Sequence, residues 1–174
     1  MRYLLAVLLV ISGAAHAYRF GDGSIEIPEG FEGPVKEKMG RNGTMTAFKR
    51  PHETGKGALL QITAWEPDEQ FSDLSTQRKK KLSKRYLLQF LGGIERRRDS
   101  FERDSVEFVR ISGEPTAKVD WRGEVQGQSV HGVMYCLIVN STIYSFQTQD
   151  LARFDGKYTA KAVDAFESVE LDGR

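Results

Sequence analysis

Residues Thr116 to Thr148 read TAKVDWRGEV QG QSVHGVMYCLIV NS TIYSFQT, three strand-like runs parted by two short turns. Gln126-Gly127 suits a tight hairpin. Pairing Val125 with Gln128 across it sets Val119 opposite Met134, Trp121 opposite Gly132 and Gly123 opposite Val130. A slip of one residue would turn every side chain to the other face, so this register carries consequences. Val119 and Trp121 share an apolar face with Met134 and Cys136, while Lys118, Asp120, Arg122 and Glu124 line a wet, charged one. A second turn at Asn140-Ser141 pairs Val139 with Thr142, Leu137 with Tyr144 and Tyr135 with Phe146. The run Gln128 to Val139 is then apolar on both faces toward its end, and a strand buried on both sides needs cover on both sides.

Helices can supply that cover. Ser72 to Leu91 holds neither Gly nor Pro and is rich in helix formers, with an apolar stripe through Leu74, Leu82, Tyr86 and Phe90. Ser72 or Asp73 would cap its start, and Gly92-Gly93 marks its end. Asp155 to Glu167 reads as a second helix, with Phe154, Tyr158, Ala162, Val163 and Phe166 on one face, followed by a short strand at Ser168 to Leu171. Upstream, Ile25 to Ile27, Thr44 to Lys49 and Ala58 to Glu66 are strands, and the polar stretch Arg50 to Gly57 is a loop. The fold class expected is α+β: a largely antiparallel sheet with helices packed on it, on one face or on both.

The ends and the composition set the setting. Arg2, the apolar run Leu4 to Ile11 and the small-x-small triplet Ala15-His16-Ala17 read as a secretory signal peptide over 1–17, leaving residues 18–174 as one exported domain, periplasmic or secreted. Eight apolar residues reach about 12 Å as a helix against a hydrocarbon core of about 30 Å, so no transmembrane segment is expected once the leader is removed. The chain carries 25 Lys+Arg against 24 Asp+Glu and one cysteine. That balance offers no electrostatic case for a nucleic-acid binder, and a lone thiol builds neither an internal disulfide framework nor a cysteine-rich zinc module.

With Ile27-Pro28-Glu29-Gly30-Phe31 closing an early strand, the meander Thr116 to Thr148, and Val163 to Leu171 ending the last helix, the chain resembles the PsbP-like α/β/α sandwich superfamily over most of residues 18–174. The resemblance rests on layout. It implies a binding or assembly factor more than an enzyme, and it offers no active-site motif whose residues could be carried across.

Reactive constellations are sparse. His52, after Pro51 in the polar loop, reads as a solvent-exposed side chain, and His131 as a half-buried sheet histidine opposite Arg122. Neither belongs to a metal-binding pattern, and no cofactor is implied. Ser129 and His131 share a face but stand about 7 Å apart along a strand, too far for a direct hydrogen bond; Cys136 lies an odd number of residues from His131 and faces the other way. A small hydrolase centred on His131, with Ser129, Asp120 and Glu124 on the same wet face, is the alternative to a binding protein; an inhibitor or immunity-type protein is another. One feature stands out. Arg78, Lys79, Lys80, Lys81, Lys84, Arg85, Arg96, Arg97 and Arg98 fall within one stretch containing a single acid, Glu95, a local excess of +8 in a chain of net charge +1. Such a helix can dock an acidic protein or an anionic lipid surface, or serve as an ordinary solvated face.

Overall fold

The meander forms in the expected register. In the computed structural model, which describes residues 16–53, 56–68, 71 and 73–173, the three central strands are β8 (Glu114–Val125), β9 (Gln128–Val139) and β10 (Thr142–Leu151). Val125 pairs with Gln128, Val119 with Met134 and Trp121 with Gly132, and across the next turn Val139 pairs with Thr142, Leu137 with Tyr144 and Tyr135 with Phe146. Gln126 and Gly127 both have positive φ, 52° and 69°, as a two-residue hairpin turn matched to strand twist requires.

The sheet is the middle layer of three. One face of β9 carries Met134, Cys136 and Ile138, packed with Ala117, Val119 and Trp121 against Leu87 and Leu91 of α1 (Thr76–Glu95). The other carries Val133, Tyr135, Leu137 and Val139, packed with Tyr144 and Phe146 against Ala162, Ala165 and Phe166 of α2 (Lys157–Glu167). A small sheet of β1 (His16–Phe20), β2 (Gly23–Ile27) and β11 (Glu170–Leu171) completes that second core with Phe20, Ile25, Ile27 and Leu171. The large sheet runs on from β10 through β5 (Gly57–Trp65) and β4 (Gly43–Pro51) to the edge strand β3 (Glu32–Met39). On its other side β6 (Ser100–Arg103) and β7 (Glu107–Ile111) share the outer edge of β8 in tandem.

Three expectations need correction. The first helix starts later, with Ser75 as its N-cap accepting from the Arg78 backbone N–H, and runs through Gly92-Gly93 to Glu95. Ile94 continues the buried stripe of Leu87 and Leu91 and packs on the same core, and that tertiary contact outweighs the low helix propensity of two glycines. The loop after β4 is also shorter than read, because Arg50 and Pro51 still pair with Ala58 and Gly57. The second helix opens at Lys157, after a 3₁₀ turn at Ala152–Phe154. The leader read over 1–17 lies outside the described residues apart from His16 and Ala17, which begin β1.

Candidate functional site

Two surfaces collect the charged and ring-bearing side chains that the cores leave over. The first is α1. Positions 78, 81 and 85 recur at helical spacing on the side away from the sheet, and Arg78, Lys81, Lys84, Arg85, Arg96 and Arg97 are all exposed. The other three basic residues turn inward. Lys79 bonds the nearly buried Glu114 at 2.7 Å, and the Lys80 amine lies 5.3 Å from the centre of the Phe108 ring. Arg98 donates through Nη2 to Gln149 Oε1 at 2.7 Å and sits over the Trp121 ring at 5.4 Å. Burial, and then the neighbouring Arg97, holds its guanidinium pKa below the ordinary value. Among the described residues, Lys79 is the one member of the nine that forms an ion pair with a carboxylate. The nine-residue cluster therefore divides into three anchors and six solvent-facing cations.

The second surface is the end of the large sheet where β4 turns into β5, β8 turns into β9, and β10 leaves for α2. Three hollows run along it and share walls. One of about 460 Å³ is lined by Glu102, Arg122, Glu124, Ser129 and His131. A smaller one at Ser129, Ala152 and Arg153 joins it to a third of about 580 Å³ between Arg50, His52, Phe154 and Tyr158.

His52 is the main departure from expectation. Its side chain is 5% exposed, and Nε2 lies 2.8 Å from Oδ1 of the fully buried Asp150. The ring packs on Phe154 with centroids 3.8 Å apart and faces Tyr158 at 5.3 Å. Asp150 Oδ1 also accepts from the Leu151 backbone N–H at 2.8 Å, while Oδ2 is buried with no hydrogen-bond partner among the described residues. Two acceptor contacts on one carboxylate oxygen place the imidazole proton on Nε2 and leave Nδ1 as the nitrogen not committed to Asp150. The sequence does carry one hint of this: Tyr144, Phe146, Thr148 and Asp150 recur at period 2, so Asp150 continues a buried face.

His131 stands where its register puts it, between Arg122 and Asp150 on the neighbouring strands, and is half-buried. A hollow does open beside it, lined by Ser129 and Glu124, but among the described residues no hydrogen bond joins Ser129 to His131. Asp120 points elsewhere, into a cluster with Asp104, Glu107, Lys118 and Arg122. Cys136 is buried on the α1 side, and burial pushes its thiol pKa well above the usual range, so it offers no thiolate at neutral pH. Among the described residues no three His, Cys, Asp or Glu side chains are arranged to hold a metal ion, and no helix is long and apolar enough to cross a membrane.

No family model matches the chain, and no curated protein matches its sequence. Solved structures do match its fold. Cyanobacterial PsbP from Synechocystis sp. PCC 6803 aligns with a TM-score of 0.64 at 11% identity, covering 95% of this chain and 97% of that one. LpqN of Mycobacterium tuberculosis, involved in cell envelope biogenesis, aligns at 0.55 and 11% identity over 88% and 87%. The Pseudomonas aeruginosa protein PA94, of unknown function, aligns at 0.50 and 13% identity over 93% and 99%. The fold is PsbP-like, as the layout of strands and helices implied.

Proposed function

We propose that this chain is an exported, non-catalytic accessory protein that docks an acidic partner protein through the outer face of α1. The observation that carries the reading is the division of the basic cluster: Lys79 is placed against Glu114, whereas Arg78, Lys81, Lys84, Arg85, Arg96 and Arg97 face solvent. A surface of one sign steers an oppositely charged partner over a range of about 10 Å at 0.1 M salt. Export rests on the leader read over 1–17, and the PsbP-like fold, shared with a protein of cell envelope biogenesis, fits an accessory role.

The test compares the wild type with Arg78/Lys81/Arg85→Glu, which spares the Lys79 anchor. Each is used to capture partners from an exported-compartment extract, and each captured protein is then purified and titrated back at rising salt. The expected result is an acidic partner whose affinity falls steeply with salt and is lost in the variant. Equal affinity in both proteins overturns the reading. Cosedimentation with phosphatidylglycerol vesicles, in the absence of any protein partner, would replace it with a lipid surface. A hydrolase centred on His131 is the competing reading, favoured by the hollow beside it; ester turnover by the wild type that His131→Ala abolishes would establish it.

A further inference from the structure

A buried His–Asp pair is an expensive thing to place at the end of a sheet. Replacing such a pair by well-packed apolar side chains is often neutral or stabilising. Here the cost is larger, because Asp150 Oδ2 is buried with no hydrogen-bond partner among the described residues. Folding alone does not call for this arrangement, and unrecovered costs of this kind concentrate where a protein binds or reacts.

What surrounds the pair gives the chemistry. The Arg50 guanidinium lies 4.4 Å from the centre of the Tyr158 ring, with the Lys157 amine 5.6 Å from the same centre. Arg153 lies 5.2 Å from the centre of the Phe154 ring, whose neighbour at 3.8 Å is His52. Two rings thus hold two guanidiniums and an imidazole in the lining of one hollow, with the Lys157 ammonium near Tyr158 but outside that lining. A guanidinium stacked on a ring keeps its in-plane N–H edge for a forked contact to carboxylate or phosphate oxygens, and holding it there in advance lowers the cost of ordering it on binding. Arg50 is further fixed by donating through Nη1 to the Glu29 carbonyl at 3.3 Å. The acids nearby are Glu53 on the rim and Asp155 on the adjoining turn, both exposed, and Asp150, which is engaged by His52. Among the described residues nothing else hydrogen-bonds the His52 ring.

We infer that the hollow between Arg50, His52, Phe154 and Tyr158 is a binding site for a small molecule bearing a phosphate or carboxylate group. Asp150 orients the imidazole through Nε2, and His52 Nδ1 together with the Arg50 edge meets the oxyanion, while Arg153, which has interactions of its own, adds positive charge to the same lining. The volume of about 580 Å³ exceeds what a bare oxyanion fills and lies within the range of small-molecule sites, so the charged group is borne on a larger body. This site lies apart from the outer face of α1, and its ligand does not depend on the partner proposed there.

The test is a titration of the isotope-labelled full chain with inorganic phosphate and, separately, succinate, at constant ionic strength against a chloride control. The signals followed are the His52 ring nitrogens and the amides of Arg153, Phe154 and Tyr158. The expected result is saturable shifts at these positions, weakened about tenfold by Arg50→Gln, as for one lost charge-assisted contact. Arg50→Lys, which keeps the charge and loses the fork, should weaken binding as well. Saturation by phosphate alone assigns a phosphate ligand, and by succinate alone a carboxylate. Shifts that grow linearly like those of chloride, or saturable binding that both variants leave unchanged, overturn the inference.

Discussion

Gly132 is the residue whose replacement tests the packing of the central meander most directly. It sits in β9 opposite Trp121, and a Cβ there would lie 2.4 Å from the Thr148 carbonyl oxygen and 2.5 and 2.7 Å from Cζ2 and Cε2 of Trp121. Neither obstacle can give way easily. The carbonyl belongs to β10, and the indole is 1% exposed, stacked on Phe101 with centroids 5.6 Å apart and lying beneath Arg98. Overpacking a core by one methyl costs about 1–3 kcal/mol, and a side chain hemmed in by backbone belongs at the upper end. At about 2–4 °C per kcal/mol for a chain of this length, Gly132→Ala should lower Tm by roughly 6–12 °C. Calorimetry and urea unfolding measure it. The mechanism makes a second demand: with Trp121→Leu in the same chain, the indole clash disappears, so the two substitutions should be less damaging together than their sum by about 1–3 kcal/mol. A Gly132→Ala protein within 1 °C of wild type, or strict additivity with Trp121→Leu, would refute the reasoning.

Other positions give expectations of opposite sign. Gly92 and Gly93 lie inside α1 with negative φ, and an added Cβ meets only the Arg96 guanidinium tip, at 3.7 and 3.9 Å. Each Gly→Ala change should therefore stabilise by about 0.5–1 kcal/mol, read as a higher urea midpoint with an unchanged slope. Burial raises the Asp120 pKa above its ordinary value, Asp104 and Glu107 push the same way, and Lys118 and Arg122 pull against them. A carboxyl of this kind binds more protons folded than unfolded, so its ionisation weakens the fold as pH rises through the folded pKa and costs nothing below the unfolded value of about 3.8. Asp120→Asn should raise Tm slightly at pH 7, with the gain vanishing below that value; a loss of stability at pH 7 would count against this account.

How far the fold is legible depends on whether local chemistry and long-range packing agree. In β8, β9 and β10 they do. The turns at Gln126-Gly127 and Asn140-Ser141 set the register, period-2 patterning sets the faces, and the observed pairing follows residue by residue. At the end of α1 they disagree. A glycine pair signals a stop, but Ile94 lies one turn beyond Leu91 on the buried stripe, and its contact with the core draws the helix through. In β3 there is nothing to read, because the strand is exposed along its whole length and so shows no alternation. His52 illustrates a fourth case. A short polar segment with one proline reads as a loop, and nothing within it announces that its histidine meets a carboxylate 98 residues away.

That meeting follows from the architecture. A sheet buried by a helix layer on each side has both faces filled with Val, Leu, Ile and aromatic side chains, so charged chemistry has no room over the middle of β9. It is displaced to the outer surfaces of the helices and to the places where strands end. Antiparallel pairing then gathers chain segments far apart in sequence at one rim: Pro51 and Gly57 across the β4–β5 turn, Val125 and Gln128 across the β8–β9 turn, Ser100 opening β6, and Leu151 closing β10. Asp150 is the last residue of β10 on the face turned toward α2, the face of Tyr144 and Phe146, before that rim. There the apolar period runs out, and a buried carboxylate can be reached by a histidine arriving from the neighbouring turn. The basic residues obey the same exclusion. The basic residues nearest the sheet are matched, Lys79 by Glu114 and Arg98 by Gln149 and Trp121, and Arg78, Lys81, Lys84 and Arg85 of α1 are left to its exposed side.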